Sequence, residues 1–115
     1  RDRIVQAFDA VGETATSSAC MGCTFQHATA DFPDSSHPAH AVARANKQAM
    51  LDRLAGLAAD AGASDPDALG RQLFLLMDGA WVAARMFGPE TPASECGAAA
   101  RALLTAHLDL EAPLA

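Results

Sequence analysis

The side chains best suited to chemistry cluster early in the chain. Cys20 and Cys23 stand at C-x-x-C spacing. His27, His37 and His40 follow in the same stretch, "ACMGCTFQHATADFPDSSHPAH", beside Asp31 and Asp34. Thiolate and imidazole together suit zinc or copper(I), and His27 falls four residues after Cys23. One reading is therefore a metal- or thiol-sensing site built from Cys20, Cys23 and His27, with His37 or His40. Against it, the sequence holds no second C-x-x-C and no H-x-x-x-H at structural-zinc spacing. A thioredoxin-like pair would need a βαβ context, and no strand pattern supplies one. The plainer reading makes Cys23 a small buried hydrophobe and leaves Cys20 in a loop, so no metal or other cofactor is expected.

Other candidates are single residues with two readings each. His27 is either a satisfied helix histidine or a polar group that orients a ligand. Asn46 is either a polar residue at the core edge or a pocket group. Asp78 sits among apolar neighbours. It is either a partly exposed acid or a buried one facing a ligand, where burial would raise its pKa. Catalysis finds no footing: there is no convincing serine–histidine–acid order, phosphate-cradling glycine loop or H-E-x-x-H. The acids Asp65 and Asp67 stand at a helix start, where the macrodipole accounts for them. The chain is not expected to be an enzyme.

The elements that must position these residues are all helices. The 115 residues fit one domain spanning 1–115. Such a chain buries roughly two-thirds of its unfolded surface. Half the residues are hydrophobic but only 5% aromatic, so alanine and leucine carry the core. A net charge of −6 without a Lys/Arg cluster makes a poor partner for nucleic-acid phosphates. No apolar run reaches the ~18–20 residues of a membrane span. The opening "RDRIVQAFDA" is charged and amphipathic rather than a leader. An odd cysteine count without an export signal points to a cytoplasmic setting.

Hydrophobic spacing predicts five helices and no strand. The first covers about 1–11, with Ile4, Phe8 and Val11 on one face, Gly12 as the stop, and a loop from Glu13. The second covers 24–31 and ends at Phe32-Pro33. The third covers 38–61, with Pro38 in its first turn and Gly62 after it. Its inward stripe is Ala43, Met50, Leu54, Leu57 and Ala61, and Lys47 is placed largely off it. The fourth covers 66–87, capped by Asp65 and stopped by Gly88-Pro89. It is apolar nearly all round, so it must be covered on every side. In a domain this small a second copy is the natural cover. The fifth covers 92–108, is capped by Thr91, and is rich in small residues.

The string "GCTFQHATADFPDSSHP", the lysine at 47, "LAADAGASDPDALGRQLFLLMDGAWVAAR" and the closing "AAARALL" resemble the C-terminal domain of TetR-family transcriptional regulators. The matching marks are Gly22-Cys23, Asp31-Phe32-Pro33, Ala61-Gly62-Ala63, Asp65-Pro66 and Asp78-Gly79-Ala80, and they cover essentially the whole chain. Relatives often carry asparagine where this chain has His27, and glutamate where it has Asp31. The resemblance implies an all-α domain of a cytoplasmic bacterial regulator, a homodimer that binds a small organic effector. It implies contact with DNA only through an N-terminal helix-turn-helix domain, which is expected to be absent from this chain.

The alternatives are the metal- or thiol-sensing domain using Cys20, Cys23 and His27, or a helical dimer module without ligand; on the leading reading two sites follow as expectations. An apolar pocket between the second, third and fourth helices is lined by Phe25, His27, Phe32, Met50, Leu54, Phe74, Met77 and Trp81, with Asn46 and Asp78 as further ligand-binding residues. The fourth and fifth helices of two copies form a four-helix dimer seam through Leu73, Leu76, Ala80, Ala83, Phe87, Cys96, Ala99, Ala100 and Leu103.

Overall fold

The computed structural model describes residues 1–18 and 20–108; Ala19, in the expected loop, lies outside them. Five α-helices follow one another: α1 Asp2–Ala15, α2 Thr24–Asp31, α3 Pro38–Asp60, α4 Pro66–Phe87 and α5 Cys96–His107. Among the described residues there is no strand.

Local chemistry explains most of the boundaries. Asp65 caps α4, its Oδ1 accepting from the Ala68 amide at 3.1 Å, with Pro66 in the first turn. His37 caps α3, its Nδ1 accepting from the Ala39 amide at 3.0 Å. Gly62 follows α3 with φ +89°, a conformation in which any Cβ is strained.

Two boundaries differ from the sequence expectation. α1 runs on through Gly12 to Ala15. Gly12 is a contact rather than a stop: it is buried where α1 meets the segment before α5, and a Cβ there would make ordinary contact at 3.4 Å with the Ala93 carbonyl oxygen. The expected single helix over 92–108 divides instead. A 3₁₀ turn at Gly88–Glu90 and a second at Pro92–Glu95 precede α5. Thr91 is buried and caps the second turn, its Oγ1 accepting from the Ala93 amide at 3.1 Å.

The core is one apolar cluster. α1 contributes Ile4, Phe8, Val11 and Ala15; α3 contributes Leu54 and Ala58; α4 contributes Leu69, Leu73, Met77, Ala80 and Ala84; α5 contributes Cys96, Ala100 and Leu104. α3 and α4 form the most extensive pair, α1 lies against α5, and α2 lies on α3. The assembly is a slab of 50 × 33 × 16 Å. None of its described helices is long and apolar enough to cross a membrane.

Candidate functional site

Three helices meet at a polar junction. Lys47 on α3 reaches Asp78 on α4, Nζ to Oδ1 at 2.8 Å. The same ammonium lies 3.2 Å from Sγ of Cys23, the residue that precedes α2. It also stands 6.0 Å from the centre of the Phe74 ring. Gln26 of α2 donates from Nε2 to the Asp78 backbone oxygen at 3.1 Å. Burial alone would lower the Lys47 pKa. Hydrogen bonds and charge from Asp78 and Cys23 outweigh it, and the group ends above its ordinary value of 10.5. The ammonium is thus held charged while tying α2, α3 and α4 together. Lys47 was placed off the inward stripe of α3, yet it lies one turn from Ala43 and Met50 in the same register. A lysine at an apolar-stripe position was the available signal.

A second polar pair joins α2 to α4 on the other side. The Nη1 of Arg85 lies 3.0 Å from Nδ1 of His27 and within reach of Nε2, so a ring nitrogen accepts from the guanidinium. Gly22, at φ +86°, brings the loop backbone against this pair. A Cβ on Gly22 would lie 3.2 Å from the Arg85 Cβ and 3.3 Å from His27 Nε2. His27, Arg85, Gln26, Ala30, Asp31 and Val82 line a cleft of about 330 Å³. Arg85 was missed by the sequence reading because a single arginine in the last turn of a helix reads as a dipole partner.

The expected pocket residues fall into different surroundings. Leu54 and Met77 are core. Met50, Phe74 and Trp81 are half-buried and packed against that core. Phe25 is half-buried on α2, and Asn46 is exposed on α3. Phe32 is exposed and stacks on His37, ring centres 4.3 Å apart, so it caps the α2–α3 turn instead of facing inward. His27 and Asp78 do line clefts. Asp78 borders a wide apolar one with Leu75, Gly79, Val82, Met86 and Phe87.

The residues expected at the seam differ in their exposure within the single chain. Leu73 and Ala100 have no exposed surface within the single chain. Ala80 and Cys96 are largely buried but line the apolar groove between α4 and α5. The outward stripe of α4 is Leu75, Gly79, Val82 and Met86. Leu75, Val82 and Met86 are 69%, 49% and 73% exposed, and Phe87 beside them is 58% exposed. Leu76, Ala83, Ala99 and Leu103 are half-buried at its margin. An apolar groove of about 310 Å³ runs between α4 and the start of α5, lined by Leu76, Ala83, Pro92 and Ala99 among others.

The residues required by the metal reading are occupied separately. Cys23 faces Lys47, His27 faces Arg85, and His37 caps α3. Among the described residues no three His, Cys, Asp or Glu side chains are grouped to hold a metal ion.

The described helices form a five-helix slab with α4 at its centre and α5 packed along it. One solved structure is similar to this chain: a protein assigned as a TetR transcriptional regulator of Streptomyces avermitilis superposes with a TM-score of 0.83 at 32% sequence identity. The match covers 92% of this chain and 57% of that one, so the chain spans a little over half the length of that protein. The chain has the fold of a TetR-type regulator and fits the C-terminal-like part of one. No family model and no curated protein matches it.

Proposed function

We propose that residues 1–115 form the effector-sensing and dimerisation domain of a TetR-type regulator, and that DNA is contacted by a helix-turn-helix domain outside this sequence. The observation that carries the reading is the outward apolar stripe of α4. Leu75, Val82, Met86 and Phe87 stand in one exposed patch beside an apolar groove. A contiguous patch of that kind on a small domain marks an interaction surface. In a two-fold pair each copy offers the same surface, and α4 with α5 of both copies makes a four-helix seam.

The mechanism follows from linkage. An effector seated beside α2 and α4 favours one arrangement of these helices, and the dimer's two-state equilibrium moves with it. The shift changes the separation of two DNA-reading helices, which must match half-sites about one duplex turn apart. A coupling of ~1–3 kcal/mol suffices. The Lys47 junction and the His27–Arg85 pair join α2 to the rest of the protomer, so they are where such a bias would be felt.

Sedimentation velocity tests the assembly. The chain is expected to sediment as a dimer at micromolar concentration and Val82→Glu as a folded monomer. A wild-type monomer, or a Val82→Glu dimer, would overturn the seam.

A further inference from the structure

We infer that the cleft between α2 and α4 binds the carboxylate of a small monoanionic organic acid, with Arg85 as its anchor. The inference rests on the effector-sensing reading above and names the ligand class. Among the described residues the ion pairs are Lys47–Asp78 and Arg101–Asp9. Arg85 belongs to neither: its hydrogen-bond partner is the imidazole of His27, which supplies no negative charge. A guanidinium offers five donors in a planar fork matched to a carboxylate. One edge is held by His27, and the solvent-exposed guanidinium makes no ion pair among the described residues while it borders the cleft.

The site is also positioned. Gly22 packs its backbone over the Arg85 and His27 side chains at a φ of +86° that L side chains rarely adopt, where a Cβ would be tight against both. Gln26 is tied to the α4 backbone through Asp78. The remaining walls, Ala30 and Val82, are apolar and suit a small aryl or branched alkyl group. A volume of about 330 Å³ sits at the small end of organic-ligand sites. Asp31 lies in the same wall. Its negative charge opposes a dianion more than a monoanion, which selects against phosphate.

Trp81, the only tryptophan, lies one turn before Arg85 with its carbonyl beside Gly22, and so reports on the site. The experiment titrates the chain with benzoate, its neutral isostere benzamide, and inorganic phosphate, reading Trp81 fluorescence and calorimetry. Benzoate is expected to bind saturably. Benzamide and phosphate are expected to bind at least about tenfold more weakly, the size of a lost charge-assisted contact. Arg85→Gln should remove the benzoate preference, Arg85→Lys should retain part of it, and Arg53→Gln, on the exposed side of α3, should leave it intact. Equal binding of benzoate and benzamide, tighter binding of phosphate, an unaltered preference in Arg85→Gln, or no saturable binding of benzoate would each overturn the inference. Binding of benzamide as tight as benzoate would leave the effector-sensing reading standing while removing the acid specificity. Loss of the dimer would remove the reading and leave the binding data unaffected.

Discussion

Lys47 is the single side chain on which α2, α3 and α4 converge. It is about a quarter exposed, so its ion pair with Asp78 is neither a screened surface pair nor a fully desolvated one. Replacing it by methionine keeps most of the stem's apolar packing but strands Asp78 and Cys23. We expect Lys47→Met to cost about 1–3 kcal/mol in urea unfolding. Its pH signature is distinct. A lysine whose folded pKa lies above 10.5 stabilises the fold fully below that value, and the contribution is lost as pH rises through the folded pKa. Cys96 acts in the same direction earlier: burial, then the nearby Asp9, push its thiol above the ordinary 9.0, so the unfolded chain ionises first. Melting temperature should therefore fall as pH climbs past about 9.0 and again past 10.5. Lys47→Met should flatten the upper part of the decline and leave the lower part. A Lys47→Met melting curve parallel to wild type up to pH 11 would show that the junction carries no such linkage. At this scale the sequence was legible for caps and opaque for partners. Asp65 and Thr91 were readable because a cap acts on its own neighbours in the chain. The bond from Lys47 to Asp78 spans 31 positions and the contact of Arg85 with His27 spans 58, and no local pattern encodes either.

At the scale of elements, α2, α3 and α4 were readable to within a residue, since Phe32-Pro33, Pro38, Gly62, Asp65-Pro66 and Gly88 punctuate them. The end of α1 and the start of α5 were not. Gly12 looks like a stop and is a contact, and the run from Pro92 has the apolar spacing of a helix but begins as a 3₁₀ turn. Glycine roles are thus set by what faces them, and two substitutions separate the cases. Gly70, on α4, lies against α3 so closely that a Cβ would be 2.8 Å from both N and Cα of Ala55. Backbone cannot give way as a side-chain tip can, so Gly70→Ala should destabilise by about 1–3 kcal/mol. Gly56, on the exposed side of α3, has nothing within 4 Å of such a Cβ. Gly56→Ala should stabilise by about 0.5–1 kcal/mol through helix propensity and unfolded-state entropy. Urea midpoints measured side by side check both, and shifts of the same sign would contradict the α3–α4 packing described here. The candidate site follows this pattern: residues named for it from α2 and α4 lie on those helices, while which of them share a cleft depends on contacts remote in sequence, such as Arg85 with His27.

At the scale of the molecule, the surface argues for a partner. The chain exposes 7067 Å², whereas a folded monomer of 11.9 kDa is expected to expose about 6,000 Å². Its radius of gyration is 15.3 Å, against about 13 Å for a compact chain of this length. A flat slab exposes more area than a sphere of the same mass, and the outward stripe of α4 places apolar side chains in that exposed face. If a second copy covers that stripe, folding and association are coupled by mass action. Melting temperature should then rise with protein concentration, by roughly 2–5 °C for each tenfold increase. Leu75→Glu, at a position that is exposed in the single chain, should abolish the dependence. Because the substitution touches no protomer core, the variant should remain helical by circular dichroism at low temperature. A wild-type melting temperature independent of concentration over a hundredfold range, in a chain that remains folded, would mean that the slab stands alone with its apolar face in water.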